Sequence, residues 1–157
     1  MKQLNALNQV AEFHRTFQHP IEKEPLIPSP ERCELRISLI QEELDEFKKA
    51  IENDDLVGIA DALCDIQYVL SGAVLEFGLG EIFRELFDEV QRSNMSKTCS
   101  TEMEAKKTVK YYHDLENTSS YYKKVDGRYM IYRKSDNKTL KSINYSPPDL
   151  KSIIYSV

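Results

Sequence analysis

The chain has 157 residues, of which 41% are hydrophobic and 30% are charged, and its formal net charge is −5. This length supports one compact domain with a small appendage, and the composition is typical of a soluble globular protein. The acidic balance provides no basic surface for nucleic acid or for an anionic membrane, so we expect neither as a partner. Any anionic substrate must be bound locally, by metal ions or by a few cations.

The first predicted helix runs from about Gln3 to Phe17 and has apolar side chains at helical spacing. It lacks the apolar core of a secretory signal peptide, which favours a cytoplasmic protein. A proline-rich connection follows. Ser29, Pro30 and Glu31 have the order of an N-cap, a first-turn proline and an acidic first turn, so they predict the start of a second helix.

The second helix is predicted to extend to about Ile51 and contains a run of three closely spaced glutamates in its second half. With a helical step of roughly 100° per residue, these glutamates fall beside the apolar arc of the helix and away from its charged face. They are therefore expected to point toward the interior or its rim, although such a run most often marks a solvated face. The residues are Glu42, Glu43 and Glu46.

The third helix, from about Leu56 to Leu75, is apolar around almost its whole circumference, which predicts a central and buried helix. Asp61 and Asp65 stand one turn apart on one face. Gly58 and Gly72 fall on the same face and are expected to leave space before the carboxylates. The length also permits a membrane span, but the two aspartates and the acidic entry argue against it.

Five carboxylates on two neighbouring helices predict a cation site. Buried carboxylates without partners cost several kcal/mol each or become protonated. Oxygen ligands converging in one cleft suit hard divalent cations, so Mg²⁺ is the expected ion and Mn²⁺ the alternative. The expected ligands are Glu42, Glu43, Glu46, Asp61 and Asp65.

The cysteines do not suggest a second metal site. Cys33, Cys64 and Cys99 are odd in number and have no paired ligand spacing. Cys33 and Cys64 fall on apolar stretches of predicted helix, so both are expected to be buried free thiols. No Cys/His zinc pattern or Ser/His nucleophile pattern is present.

A fourth helix is predicted from about Glu81 to Arg92 and leads into a short polar segment. This segment combines two cations with hydroxyl and amide donors, as a phosphate-binding loop would. Basic residues near a helix C-terminus also complement the helix dipole, which is the simpler interpretation. The predicted phosphate-binding residues are Arg92, Asn94, Ser96 and Lys97.

Beyond Cys99 the composition changes. Residues 101 to 116 predict a polar helix, tyrosine-rich segments predict strands, and residues 135 to 138 predict the turn of a β-hairpin. Asp149 is expected to begin a short C-terminal helix. The predicted fold is an all-α bundle with antiparallel metal-binding helices over residues 1–98. An extension over residues 99–157 adds a helix, a hairpin and a short helix.

The motifs Glu42-Glu43-Leu44-Asp45-Glu46 and Asp61-Ala62-Leu63-Cys64-Asp65 resemble those of the all-α nucleoside triphosphate pyrophosphohydrolases. This superfamily includes the MazG-like and the phosphoribosyl-ATP pyrophosphohydrolase-like proteins. The segment from Arg92 to Lys97 is similar to one that follows the metal helices in the second branch. One departure is that many relatives have Glu-x-x-Asp where this chain has Asp61 and Asp65, four residues apart.

The resemblance implies Mg²⁺-dependent hydrolysis of a nucleoside triphosphate to the monophosphate and pyrophosphate, serving to clean the nucleotide pool. It implies Glu43, Glu46 and Asp65 as the main metal ligands. Glu42 would orient or deprotonate the attacking water or hold a second metal, and Asp61 would be a further ligand or support one. Arg92 and Lys97 would contact phosphate oxygens, with help from Asn94 and Ser96.

Base recognition and assembly are also implied. His14, Phe17 and Tyr68 are candidates to stack on or frame the base, although ordinary packing is the simpler interpretation of each. Relatives build their sites between subunits, so a homodimer or a dimer of dimers is expected. Two alternatives stay open: phosphoribosyl-ATP hydrolysis in histidine biosynthesis, and a non-catalytic helical protein that binds metal for dimerisation.

Overall fold

The computed structural model describes residues 4–156, which form six helices and a three-stranded sheet. The elements in chain order are α1 (Ala6–Phe17), α2 (Pro30–Glu52), α3 (Leu56–Glu76), α4 (Phe83–Met95), α5 (Glu102–Leu115), β1 (Ser120–Val125), β2 (Arg128–Arg133), β3 (Thr139–Leu140) and α6 (Leu150–Ile154). The fold is therefore mostly helical, as predicted. The C-terminal hairpin is extended by a third strand.

The chain divides into two compact units between Phe83 and Arg84. The first unit contains α1, α2 and α3, and the second contains α4, α5, the sheet and α6. The domain boundary predicted at residues 98 and 99 was drawn from composition and stays a prediction.

Helices α2 and α3 form an antiparallel hairpin. Arg32 in the first turn of α2 contacts Glu76 at the end of α3, whereas Ala50 near the end of α2 lies against Gly58 near the start of α3. Asp55 begins α3 as a side-chain cap, because its carboxylate accepts hydrogen bonds of 3.0 Å from the N–H groups of Val57 and Gly58. The connection between the two long helices has only three residues, so α3 must run antiparallel to α2 and beside it.

A buried ion-pair network joins the two helices. Glu76 is only 1% exposed and accepts hydrogen bonds from the guanidinium groups of Arg32 and Arg36, including one of 3.1 Å from Arg32 Nε. Burial opposes ionisation of Glu76, but the hydrogen bonds from Arg36 and Arg32 outweigh it and hold its pKa below the ordinary value. The charge is therefore retained inside the unit because it is paired.

Glycines on α3 allow close approach to α2 rather than leaving space before the carboxylates, so that prediction was wrong. A Cβ at Gly72 would lie 2.6 Å from Arg36 Nη1 and 3.1 Å from His14 Nε2. A Cβ at Gly58 would lie 2.8 Å from the capping carboxylate of Asp55. The absent Cβ of Gly72 thus lets the buried guanidinium rest on the backbone of α3.

Helix α1 and the proline-rich connection pack against the end of α3. Val10, Ala11 and Leu75 form a small buried apolar cluster in this unit. The connection is fixed by backbone hydrogen bonds of 3.0 Å from Glu22 N–H to the carbonyl of Leu75 and of 3.1 Å from Leu26 N–H to that of Phe77. These contacts hold α1 beside α3.

Helix α3 is less buried than its sequence predicts. Leu56 and Val57 are 76% and 80% exposed, and Leu63 and Leu70 are also exposed. Cys64 is exposed as well, which corrects the prediction of a buried thiol, and Cys33 is half-buried. Among the described residues, α3 is long and apolar enough to cross a membrane, but a core helix of a soluble protein has the same features. One chain thus leaves much of this apolar face uncovered.

The second unit is organised by the antiparallel sheet. Asp126 and Gly127, both with positive φ, form the two-residue turn between β1 and β2, a hairpin signal that the sequence analysis overlooked. The predicted turn at residues 135 to 138 is confirmed, since Ile131 pairs with Leu140 across it. The sheet packs on α5 through a buried cluster of Cys99, Ala105 and Ile131.

We predict that replacing Glu76 with Gln lowers the free energy of unfolding by roughly 3 kcal/mol or more, because it leaves a buried arginine without its counter-charge. Urea denaturation followed by circular dichroism measures this. Because the pKa of Glu76 is depressed, its contribution is present above its unfolded pKa of about 4.3 and is lost as pH falls through its lower folded pKa. The exposed Glu52→Gln is the control and should change stability by about 0.5 kcal/mol or less. Equal midpoints for both variants would contradict the prediction.

Candidate functional site

The three predicted glutamates of α2 do not share one environment. Glu43 is half-buried, whereas Glu42 and Glu46 are exposed and line a broad hollow on the outer side of α2 together with Gln41 and Asp45. The expectation that all three face the interior or its rim is therefore met by Glu43 alone in the single chain. The helical angle placed them correctly relative to one another but not relative to the solvent.

The aspartates of α3 divide in the same way. Asp61 is exposed, while Asp65 is half-buried and lines the same pocket as Glu43. These two side chains come from different helices of the hairpin, so the pocket contains one carboxylate from each predicted motif.

This pocket, the central pocket, has a volume of about 430 Å³ and lies among α1, α2 and α3. One part of its wall is apolar and aromatic, and another is charged. The apolar and aromatic residues are Val10, Phe13, Leu35, Leu39, Tyr68 and Val69, and the polar ones are His14, His19, Arg32, Arg36, Glu43 and Asp65. Such a mixture suits a ligand with an aromatic part and an anionic part.

Electrostatic repulsion connects the carboxylates. Desolvation first, and then the negative charges of Asp65, Glu46, Glu42 and Asp61, raise the pKa of Glu43 above its ordinary value. The negative charges of the other four predicted ligands are thus all felt at Glu43. Their donor atoms are oxygens only, which fits a hard divalent cation and would relieve the repulsion.

The coordination sphere is not fully assembled in the single chain. Within residues 4–156, no three His, Cys, Asp or Glu side chains converge closely enough to form a metal-binding group. The individual ligand assignments therefore stay predictions.

His14 belongs to the ion-pair network at the back of the central pocket. Its Nδ1 lies 2.8 Å from the carbonyl oxygen of Pro20, which only accepts, so Nδ1 carries the proton. Its Nε2 therefore accepts from Arg36 Nη2 at 3.3 Å. Burial lowers the pKa of His14, so the neutral ring is favoured. Both ring nitrogens are thus committed to neighbours.

The other predicted base-binding residues lie among aromatic rings. Phe17 is 60% exposed and packs on Phe13, with ring centroids 4.4 Å apart, while Tyr68 meets Phe13 edge-on at 5.6 Å. Phe13 also stacks on His19 at 5.8 Å with an interplanar angle of 17°. Phe13 and His19 were not predicted from the sequence, although both lie within four residues of predicted site residues.

Arg32, Arg36 and Glu76 were also not predicted from the sequence. A signal was present, because Arg32 and Arg36 stand one turn apart beside the apolar arc of α2 and Glu76 ends a mostly apolar helix. Charges in such positions are rare unless they pair with one another.

The predicted phosphate-binding residues belong to the second unit. Arg92 donates to both carboxylate oxygens of Glu89, at 2.7 and 2.8 Å, and to the carbonyl of Pro147 at 3.1 Å. Hydrogen bonds from Arg92, and then from the Asp149 N–H, lower the pKa of Glu89 to about 2. The arginine is therefore held in place by a carboxylate that stays ionised.

The other three predicted phosphate-binding residues, Asn94, Ser96 and Lys97, are also held by hydrogen bonds. Lys97 Nζ donates to Asn94 Oδ1 at 2.8 Å. Ser96 Oγ donates to the carbonyl of Ser93 at 2.7 Å and accepts from Ser146 N–H at 3.0 Å. The whole segment is thus ordered by contacts within its own unit.

Comparison with known proteins gives two matches. The family model described as phosphoribosyl-ATP pyrophosphohydrolase matches residues 10–94, which include both acidic motifs. An uncharacterized protein of Acanthamoeba polyphaga mimivirus is 36% identical over 78 residues, covering 47% of this chain and 29% of that protein. The chain thus spans less than a third of the length of this relative.

We predict that Asp65→Asn lowers the pKa of Glu43, because desolvation and then the negative charge of Asp65 contribute most to raising it. Glu46→Gln should lower it less, and Asp45→Asn should leave it unchanged. A carboxyl-detected NMR titration measures the three values. A carboxylate whose pKa is raised by folding favours the folded state at low pH and destabilises it at neutral pH, where the group is ionised. Asp65→Asn removes part of the repulsion and should therefore stabilise the metal-free protein at neutral pH. An unchanged Glu43 titration in Asp65→Asn would show that the two groups do not interact.

Proposed function

Because the chain belongs to the phosphoribosyl-ATP pyrophosphohydrolase family, we propose that it hydrolyses the α–β phosphoanhydride of a nucleotide that carries a triphosphate. This family lies within the MazG-like nucleoside triphosphate pyrophosphohydrolase superfamily. Membership assigns the chain to the hydrolases that act on phosphoric anhydrides. The proposed products are a nucleoside monophosphate and pyrophosphate.

The observation that supports this proposal best is the central pocket. It places Glu43 and Asp65 on a wall next to aromatic side chains and to the arginine pair that Glu76 holds. A nucleotide has a base for the aromatic part and a triphosphate for a cation held by carboxylates. In this arrangement Phe13, His19 and Tyr68 would frame the base.

We propose Mg²⁺, with Mn²⁺ as the alternative, as the ion held by Glu43, Glu46 and Asp65, and Asp61 as a further or supporting ligand. When bound, such an ion neutralises the triphosphate and lowers the pKa of a coordinated water. The repulsion that raises the pKa of Glu43 supports the assignment, since a cation removes the cost of holding these charges together.

The chain supplies the proton acceptor for the reaction. His14 is unsuited to this task because one ring nitrogen donates to Pro20 and the other accepts from Arg36. Glu42 is exposed, lies beside Glu43 in the motif and makes no side-chain hydrogen bond within residues 4–156. We therefore assign Glu42 to orienting the attacking water or taking its proton.

Two substrates are compatible with the family. One is an unwanted nucleoside triphosphate or deoxynucleoside triphosphate, whose removal cleans the nucleotide pool. The other is phosphoribosyl-ATP, an intermediate of histidine biosynthesis, and the name of the matching family favours it. Both carry a triphosphate and release pyrophosphate, so the proposed chemistry is the same. In both cases Arg92, Asn94, Ser96 and Lys97 are proposed to bind phosphate oxygens.

We also propose that the protein works as a homodimer or a dimer of dimers. The exposed apolar side chains of α3 would form a contiguous patch that monomeric soluble proteins rarely leave uncovered. A second copy that covers this face would also bring more carboxylates toward the site, where one chain assembles no metal-binding group.

We predict that the protein releases pyrophosphate from a nucleotide in the presence of Mg²⁺ and that Glu46→Gln lowers kcat at least about 100-fold, because a carboxylate ligand is lost. The panel should contain the common nucleoside triphosphates, their deoxy forms and phosphoribosyl-ATP. Asp45→Asn removes a carboxylate that pairs with Gln41 and is not a proposed metal ligand, so it is the matched control and should retain activity.

Full activity of Glu46→Gln would refute the metal assignment. Absence of activity on every nucleotide would favour the alternative in which the acidic motifs bind metal only for assembly.

We predict that Leu63→Glu shifts the protein toward the monomer, because a buried charge would replace an apolar contact on α3. Size-exclusion chromatography with light scattering gives the mass. Leu115→Glu, at an exposed leucine near the end of α5, is the control and should leave the mass unchanged. A native protein that is monomeric at micromolar concentration would contradict the proposed assembly.

A further inference from the structure

The second unit contains a polar pocket outside the two acidic motifs. This pocket, the C-terminal pocket, has a volume of about 360 Å³ and is lined by Arg92 and Ser96 from one segment and Thr98, Arg128 and Asn144 from others. Only Arg92 falls within residues 10–94, the part of the chain that the family model matches. The rest of the pocket is supplied by the chain beyond α4.

The sheet fixes Arg128 beside Thr98. An isolated antiparallel bridge joins Cys99 to Tyr129, with backbone hydrogen bonds of 2.8 and 2.9 Å. Arg128 directly precedes Tyr129, and its Nη1 donates to Thr98 Oγ1 at 3.3 Å. The guanidinium makes no ion pair with a carboxylate among residues 4–156, so most of its donors remain available.

Arg92 approaches the pocket in a fixed orientation. Its Nε and Nη2 are occupied by Glu89 and by the carbonyl of Pro147, and its Nη1 makes no hydrogen bond within the described part of the chain. The segment after β3 holds this geometry, because Asp149 N–H donates to Glu89 Oε1 at 2.8 Å. A positioned guanidinium with a free Nη1 is a good donor for a phosphate oxygen.

The one carboxylate of the pocket wall is occupied by donors. Glu104 accepts from Ser142 Oγ and from Ser100 N–H, the latter at 2.9 Å. Burial opposes ionisation of Glu104, but these hydrogen bonds outweigh it and hold its pKa below the ordinary value. Glu104 therefore stays ionised, and its oxygens are engaged by donors of the pocket wall.

The surroundings of the pocket are positive. Besides the hydrogen bond with Ser93, the positive charges of Lys141, Lys97 and Arg92 lower the pKa of Tyr145. Since Glu89 balances Arg92, the three cations Arg128, Lys97 and Lys141 outnumber the remaining carboxylate, Glu104. This balance favours an anion with several oxygens.

We propose that the C-terminal pocket binds a phosphate or pyrophosphate group between the guanidinium groups of Arg92 and Arg128, with Ser96 and Thr98 as hydroxyl donors. The group has two possible sources. It is either the polyphosphate end of the substrate, a case that depends on the proposed function, or a separate phosphate-bearing ligand. In both cases the C-terminal sheet is part of a binding site and more than an appendage.

The test is titration of the full-length protein with pyrophosphate in the absence of metal, by calorimetry and by amide chemical shifts. Arg128→Gln should weaken binding about tenfold, the effect of losing one charge-assisted contact. Arg133→Gln is the matched control, because it removes the same charge from the same strand, and Arg133 pairs with Asp136 outside the pocket. Binding to the control should be unchanged, and shifts should centre on residues 96–98 and 128.

A steady-state assay separates the two sources. A higher KM with little change in kcat for Arg128→Gln supports binding of the substrate's own phosphates. Weakened pyrophosphate binding with an unchanged KM supports a separate ligand. The binding measurement remains valid if no nucleotide is hydrolysed. Failure of the proposed function can therefore be distinguished from failure of the phosphate-binding proposal. Equal binding to Arg128→Gln and the native protein, or no binding of pyrophosphate at all, would overturn the proposal.

Discussion

The buried Glu76 and its two arginines are the interaction on which the first unit depends. The ion pairs of Glu76 with Arg32 and Arg36 join the end of α3 to the start of α2. Arg36 also donates a hydrogen bond to His14 on α1. A charge inside a protein is tolerated only when it is paired and hydrogen-bonded. The three helices therefore have one arrangement in which Glu76 is satisfied, and the glycine at position 72 makes that arrangement sterically possible.

The same network shapes the chemistry of the central pocket. It places Arg32 and Arg36 behind the pocket and orients His14 through Arg36, while on another wall the charge of Asp65 adds to desolvation in raising the pKa of Glu43. The first charge set is satisfied by hydrogen bonds within the chain, whereas Glu43 and Asp65 form no ion pair among residues 4–156. The carboxylate that supports the fold is therefore distinct from those proposed above as metal ligands.

In the single chain, an apolar surface stays uncovered and the predicted metal ligands do not converge. The apolar residues of α3 remain exposed, and no three potential ligand side chains converge within the described residues. The proposed second copy of the chain would cover this face of α3 and bring further carboxylates near the site. The C-terminal unit differs, since its sheet, α5 and the segment after β3 satisfy one another by hydrogen bonds.

The sequence by itself determined the helices, the turn after β2 and the family, because these depend on local signals. Side-chain spacing, Pro30 and the cap at Asp55 are examples. Only the tertiary structure decided which charges are buried. Arg36 and Glu76 are 40 residues apart, and their positions in the sequence indicate that they need partners without showing which charges pair. Helical angles likewise ordered the glutamates around α2, but solvent exposure depends on which surfaces pack against that helix.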